Sequence, residues 1–311
     1  MSSTAHSLDV AIRVSLSRTF QPTLPGITLD SYRVKPIPTS VGEQAILEFK
    51  DQWAEGQQAS HPVQEGKLLL SWLAVVLRSR LSVEAAEIGN VSSPPERPYK
   101  QFLGPIEPPA DIQELFDRLC GLDDKLFRTY LRACDLYHLA TQVMDDRPSL
   151  ANFLLVSSIE CLGTIVTPGD GFGQSFLKFV RTYCPKTVLG ERMSDAEWNG
   201  LLSKIYEYRS QYAHGGKDVP VAALLADKLG LPWVKHFVGG KEEPAPSVSW
   251  FESVVHASLV QFLRAVQAGP PPERKRQKII ELALSSAIVH LRARRPITQG
   301  QLLTKDDIEL Q

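Results

Sequence analysis

Apolar and polar residues alternate strictly along the first stretch of the chain. Leu8, Val10, Ile12, Val14 and Leu16 are separated by Asp9, Ala11, Arg13 and Ser15, the period-two pattern of a strand with one buried face. Pro22, Pro25 and Gly26 end it. Ile27–Val34 and Ala45–Phe49 predict two further strands, with Pro36 and Pro38 between them. After His61-Pro62 the run Val63 to Leu81 predicts a helix buried on most sides. Leu81–Ile88 then predicts a returning strand that Gly89 stops. Pro94, Pro95, Pro98, Pro105, Pro108 and Pro109 follow in a stretch without periodicity, which reads as an extended linker. Residues 1–110 are therefore expected to form a small α/β region.

From Asp111 the spacing turns helical. Leu119, Leu122, Leu126, Tyr130, Cys134, Tyr137 and Val143 predict one long amphipathic helix. Pro148 suits the first turn of a second helix reaching Val166. Thr167–Gly173 reads as a turn, followed by a short helix over Ser175–Cys184. Ser194-Asp-Ala-Glu197 is a capping-box pattern, and Trp198, Leu201, Leu202, Ile205, Tyr208 and Tyr212 behind it form an apolar stripe. Gly215 and Gly216 provide the positive-φ residues that close such a helix. A short helix over Val219–Leu229, with Pro220 in its first turn, comes next. A second capping box, Ser249-Trp-Phe-Glu252, opens a helix bearing Val254, Val255, Leu259, Phe262, Leu263 and Val266. Gly269 to Pro272 precede a last helix, Glu273–Arg295. The expected fold is mainly α: an irregular helical bundle over residues 111–297, with a C-terminal tail at 298–311.

Composition narrows the options. The 311 residues, 43% of them hydrophobic, suffice for one large or two modest cores. A formal net charge of −1 argues against coating of nucleic acid by the whole surface and leaves room for a local basic cleft. Cys120, Cys134, Cys161 and Cys184 lack Cys-x-x-Cys spacing, so buried free thiols are the favoured reading. No secretory signal is visible at the N-terminus. No stretch is read as reaching the ~18 apolar residues of a membrane span, the longest being Leu68–Leu77. A soluble cytoplasmic protein is expected.

Candidate chemistry concentrates in Tyr206-Glu-Tyr-Arg-Ser-Gln-Tyr-Ala-His-Gly-Gly216. Arg209 and His214 stand five residues apart at a helix tail, which separates them by about 140° around the axis and ~7.5 Å along it. One regular helix cannot aim both at one atom. They share a site only if the helix end unwinds or a second copy packs against it, which would make the protein a homodimer.

Arg-(four residues)-His-Gly at a helix end, in a helical domain, resembles the ribonuclease signature of the HEPN superfamily. The form Tyr-x-x-Arg-Ser-x-x-x-His-Gly, here Tyr206 to Gly215, is similar to its Apea-like branch. Ser149–Leu162 resembles the family's preceding helix, whose apolar run carries a glutamate, here Glu160. The resemblance covers roughly Leu115 to Arg295. It implies a metal-independent endoribonuclease without cofactors, with an RNA substrate and 2′,3′-cyclic phosphate and 5′-hydroxyl products. Anti-phage defence or a toxin system is the setting it implies. Residues 1–110 would then be a place for a sensor or a regulatory partner.

Histidine titrates near neutrality and fits proton transfer, whereas arginine stays charged and offers a planar fork to phosphate. His214 and Arg209 take those catalytic roles, Arg209 stabilising the transition state. The bland alternative is a histidine at the negative end of a helix beside a surface arginine. Glu160, at an apolar helix position, needs a partner; Arg209 or another cation would serve. Ser210 and Tyr212 are supporting candidates that either bond phosphate or cap and pack. The same family fold without catalysis, as a module for RNA or partner binding, is the rival class. Arg274-Lys-Arg276, Lys278, Arg292, Arg294 and Arg295 fit a phosphate track or a solvated basic face. Asp145, Asp146 and Asp170 are explained by helix starts and turns rather than by a metal. His138 has no second ligand at helical spacing, and glycines 169, 171 and 173 follow a helix, which makes them a poor phosphate loop.

Overall fold

The alternating N-terminal stretch is strand β1 (His6–Leu16) in a five-stranded antiparallel sheet. A computed structural model of the chain describes residues 6–16, 26–37, 44–53, 60–78, 81–88, 108–189, 193–271, 279, 291–293 and 308–310. The chain is mainly helical, with this sheet confined to its N-terminal region. Sheet order is β2-β3-β4-β1-β5, with β2 at Ile27–Leu29, β3 at Tyr32–Ile37, β4 at Gln44–Trp53 and β5 at Leu81–Ile88. β1 pairs with β4 from His6 opposite Trp53 to Ser15 opposite Gln44, and with β5 on its other edge. The expected strand Ile27–Val34 is in fact a hairpin. Asp30, at φ +52°, turns the chain between β2 and β3, a conformation that Asp tolerates better than most residues.

Helix α1 (Ser60–Val76) joins β4 to β5. It ends before Leu81, because Arg78 enters the left-handed region at φ +47°. Leu69, Leu70, Trp72 and Leu73 are buried on it, and the ring of Trp72 lies 5.5 Å from that of Phe116. A continuous apolar core therefore crosses residue 110, from Tyr32 and Trp72 through Phe116 to Phe262. Of the linker prolines, Pro108 and Pro109 precede α2 without regular structure; Pro94, Pro95, Pro98 and Pro105 lie outside the described residues.

The single long helix expected after Asp111 is two, α2 (Ile112–Gly121) and α3 (Asp124–Val143). The break is a built junction. Asp123 caps α3 by accepting from the Leu126 N–H at 3.0 Å, and the Gly121 carbonyl accepts from Gly269 N–H at 2.9 Å. Helix α4 (Pro148–Val166) is the centre of the helical body, touching α3, α5 (Phe172–Tyr183), α6 (Asp195–Gly215) and α8 (Val248–Ala265). By length and a mean hydropathy of 1.6 it is apolar enough to cross a membrane, contrary to the sequence reading. Interior packing explains that composition: Ala151, Leu155, Val156, Ile159 and Leu162 are buried against those neighbours, and Asn152 and Glu160 among them have protein partners. A short 3₁₀ turn, Lys186–Leu189, links α5 to α6.

After α7 (Val221–Lys228) the chain makes an unforeseen hairpin, β6 (Trp233–Val238) and β7 (Lys241–Pro246). Gly239 and Gly240, both at positive φ, form its turn. The second capping box is displaced as well. Ser247, not Ser249, caps α8 by accepting from Trp250 N–H at 3.0 Å. Glu252 is freed to pair with Arg78. The expected last helix does not reach Arg295, since Leu291–Ala293 pair with Ile308–Leu310 as strands β8 and β9. Ile279 is helical and buried; apart from it and β8, which holds Arg292, the segment from Glu273 to Arg295, including Arg274, Lys275, Arg276, Lys278, Arg294 and Arg295, lies outside the described residues.

Candidate active site

Helix α6 is regular from its capping box to its glycines. Ser194 Oγ accepts from Glu197 N–H at 3.3 Å, and the Glu197 carboxylate accepts from Ser194 N–H at 2.8 Å. At the far end Gly216, at φ +61°, donates to the Tyr212 carbonyl, and Lys217 N–H reaches that of Gln211. The helix tail therefore does not unwind. Arg209 and His214 keep the ~140° separation of an ideal helix, and within one chain they do not converge.

Arg209 turns inward toward α4. Its Nη2 donates to Glu160 Oε2 at 2.9 Å. The Tyr206 hydroxyl donates to the other carboxylate oxygen at 3.1 Å. Burial, then the adjacent Glu160 carboxylate, pushes the Tyr206 phenol above its ordinary value, so it remains a donor. The guanidinium also lies 5.4 Å from the centre of the Phe153 ring and 5.9 Å from that of Tyr206, both within cation–π range. Two rings and a carboxylate thus hold it. Its Nε–H is buried with no acceptor among the described residues, while the side chain keeps 23% of its surface exposed. The side chain is fixed in place and still partly exposed.

The sequence dictates this arrangement locally. Asn152, Val156 and Glu160 recur at four-residue intervals and line one side of α4. The Asn152 amide donates to the Ile205 carbonyl of α6 at 3.3 Å, and Ser149 Oγ accepts from Val219 N–H at 3.0 Å just beyond the α6 tail. Both contacts come from α4 before Glu160 and tie it to α6 and to the segment that follows α6.

His214 is exposed on the opposite flank of the tail, and no hydrogen bond from another described residue reaches it. Ser210 is half-buried. Tyr212 is half-buried too and packs its ring 6.1 Å from that of Phe153. Tyr208 is buried among apolar side chains, which pushes its phenol up to about 12. Sequence reasoning missed Phe153 and the part Tyr206 plays. The signal was present: Phe153 stands seven residues before Glu160, two turns along the same helix.

A second polar cluster lies at the junction of α1, α3 and α8. Arg78 Nη2 donates to Glu252 at 2.9 Å, and the Tyr137 hydroxyl donates to the same carboxylate. Burial opposes the charge on Glu252, but Arg78 and Tyr137 outweigh it and hold the carboxyl below its usual range. Neighbouring His256 is pushed by burial down to about 4. His138 belongs to a polar chain between α1 and α3. Gln142 contacts its Nε2 at 3.1 Å, and its Nδ1 lies 3.2 Å from Ser71 Oγ. Gln142 can only donate through its amide nitrogen, so Nδ1 carries the proton and donates to Ser71, which donates on to Asp135 at 3.2 Å. Both hydroxyl and imidazole are committed to structure. Cys120, Cys134 and Cys184 are buried free thiols and Cys161 is half-buried. Among the described residues no group of three His, Cys, Asp or Glu side chains is placed to hold a metal ion.

Comparison of the chain with protein-family models, with curated proteins and with solved structures found no match.

Proposed function

We propose that the protein is a homodimeric, metal-independent endoribonuclease of HEPN type, acting in the cytoplasm. The observation that carries this reading is the contrast between its two candidate groups. Arg209 is braced by Glu160, Tyr206 and Phe153 with part of its side chain exposed, while His214 is free at the end of the same rigid helix. A braced cation and an exposed imidazole are what phosphodiester cleavage needs. The base removes the proton of a ribose 2′-hydroxyl; the new O2′–P bond forms as the P–O5′ bond breaks. The leaving 5′-oxygen takes a proton from an acid, leaving a 2′,3′-cyclic phosphate and a 5′-hydroxyl. His214 serves the proton transfers, worth ~10²–10⁴ in rate. Arg209 offsets charge on the pentacovalent phosphate, an effect worth ~10²–10³. Because the two groups diverge by ~140° on one helix, the cleft takes its second set from another copy of the chain. Anti-phage defence or toxin activity is the setting in which this reading places it, with the N-terminal region as the place for a regulatory partner.

A second reading has its own support. The Glu160 pair and two rings engage Arg209 as fully as a structural arginine would be engaged, which suits a HEPN module that binds without cutting. Purified protein incubated with RNA separates the two. Cleavage abolished by both Arg209→Ala and His214→Ala supports catalysis; intact RNA bound equally well by all three proteins supports the module.

A further inference from the structure

The first turn of α5 lies against the Arg209 site. Gly163, three residues beyond Glu160 on the same face of α4, is so close to this turn that a Cβ there would lie 3.0 Å from the Ser175 carbonyl oxygen. A Cβ at Gly173 would lie 3.3 Å from the Tyr206 ring, the ring that bonds Glu160 and stands beside the Arg209 guanidinium. Tyr206 also packs on Phe176, with ring centres 5.6 Å apart. Lys178 pairs with Asp170 at 2.7 Å, which fixes the loop before the helix. Close approach at Gly163 and Gly173 and one ion pair therefore fix this turn against α4 and Tyr206.

Phe172 opens that turn and is 64% exposed. Pro168, Gly169, Gly171 and Gln174 are the exposed residues nearest to it in sequence, and none of them is a large apolar side chain. Of the eight large apolar side chains exposed among the described residues, six fall between Val221 and Val238. A protein-docking face gathers such residues together, as that segment does. Phe172 stands apart from it, a single ring in the turn that packs on Tyr206, whose own ring lies beside the Arg209 guanidinium.

We propose that Phe172 is a stacking platform for an unpaired base of the nucleic acid whose phosphate lies at Arg209. This rests on the reading of Arg209 as a phosphate-binding group, and it makes the substrate single-stranded. An aromatic face binds a base only when that base is free of its helical stack. Stacking of this kind tolerates any base and adds to, rather than replaces, the charge interaction with the backbone.

The test uses full-length protein carrying His214→Ala, so that binding is read without cleavage, and short fluorescein-labelled oligoadenylate or duplex RNA as probe. Phe172→Ala is expected to weaken single-strand binding by about tenfold to a hundredfold, to leave duplex binding unchanged and to keep the same salt slope. Phe172→Trp should restore affinity. Unchanged single-strand affinity, equal loss on duplex, or no binding of the single strand at all overturns the proposal. So does a fall in particle mass in sedimentation, which would mark Phe172 as a protein contact. The catalytic reading fails separately: Phe172-dependent binding by a wild-type protein that cuts nothing leaves the platform standing and removes the ribonuclease.

Discussion

Removing the charge of Glu160 tests whether Arg209 is held as described. The side chains of Glu160 and Arg209 are 8% and 23% exposed, and their contact is 2.9 Å long. Fully exposed pairs couple by ~0.2–1 kcal/mol, whereas breaking a fully buried pair costs ~3–5 kcal/mol. A hydrogen bond to a charged group is worth ~1.5–3 kcal/mol. A pair with one member buried and the other partly wet belongs between these limits, at about 2 kcal/mol. Glu160→Gln keeps an acceptor for the Tyr206 hydroxyl, and Arg209→Met keeps an apolar stem between Phe153 and Tyr206. Urea unfolding of wild type, the two single variants and the double variant, followed by tryptophan fluorescence, yields the coupling directly. A coupling of about 2 kcal/mol is expected. A value under ~0.5 kcal/mol, the additivity expected of sites without a shared contact, would mean that the arginine is not braced by this carboxylate, and the argument for a fixed phosphate-binding cation would fall with it.

Other consequences concern stability. His256 titrates near 4 in the folded chain against 6.5 as its ordinary value. Above pH 6.5 neither state is protonated; as pH falls toward 4 the unfolded chain takes up a proton that the folded chain refuses, and up to ~3 kcal/mol of stability is lost. His256→Leu should flatten that part of the stability–pH curve in urea titrations; an unchanged slope refutes the assignment. Gly121→Ala would place a Cβ 2.4 Å from the Gly269 carbonyl oxygen, so a loss of over ~1 kcal/mol is expected in the same assay, as for other overpacked sites. Ser247→Ala removes the α8 cap and the bond to Asp227, at a cost of ~1–2 kcal/mol; Ser249→Ala should cost far less, and equal losses would restore Ser249 as the cap.

Local rules made much of the fold legible. Strict alternation marked β1, Pro148 marked the start of α4, and Ser194 with Glu197 marked α6 to the residue. The α2–α3 break escaped because Leu119, Leu122 and Leu126 keep helical spacing across it. The Asp123 cap and the contact between Gly121 and Gly269, distant in sequence, together make the chain bend there. The hairpin at Gly239-Gly240 has no strand-like alternation to mark it, since β7 is Lys-Glu-Glu-Pro-Ala-Pro and carries two prolines that an edge strand accepts. Glu252 looked like a cap because Ser249 precedes it by three residues, yet Arg78 claims it from 174 residues away. In the candidate site the same division holds. A carboxylate on an apolar helix face demanded a partner, and Arg209 stands there. Phe153 shares a face of α4 with Glu160 and Tyr206 a face of α6 with Arg209, but that the two rings meet at one guanidinium depends on the packing of α4 on α6.

The most direct measurement is cleavage of a defined single-stranded RNA by purified wild-type protein and by its His214→Ala variant, with the ends of the fragments identified. Fragments bearing 2′,3′-cyclic phosphate and 5′-hydroxyl ends, formed at least ~10²-fold more slowly by the variant, are what the account predicts. Equal rates for the two proteins, or fragments with 5′-phosphate ends, would contradict it.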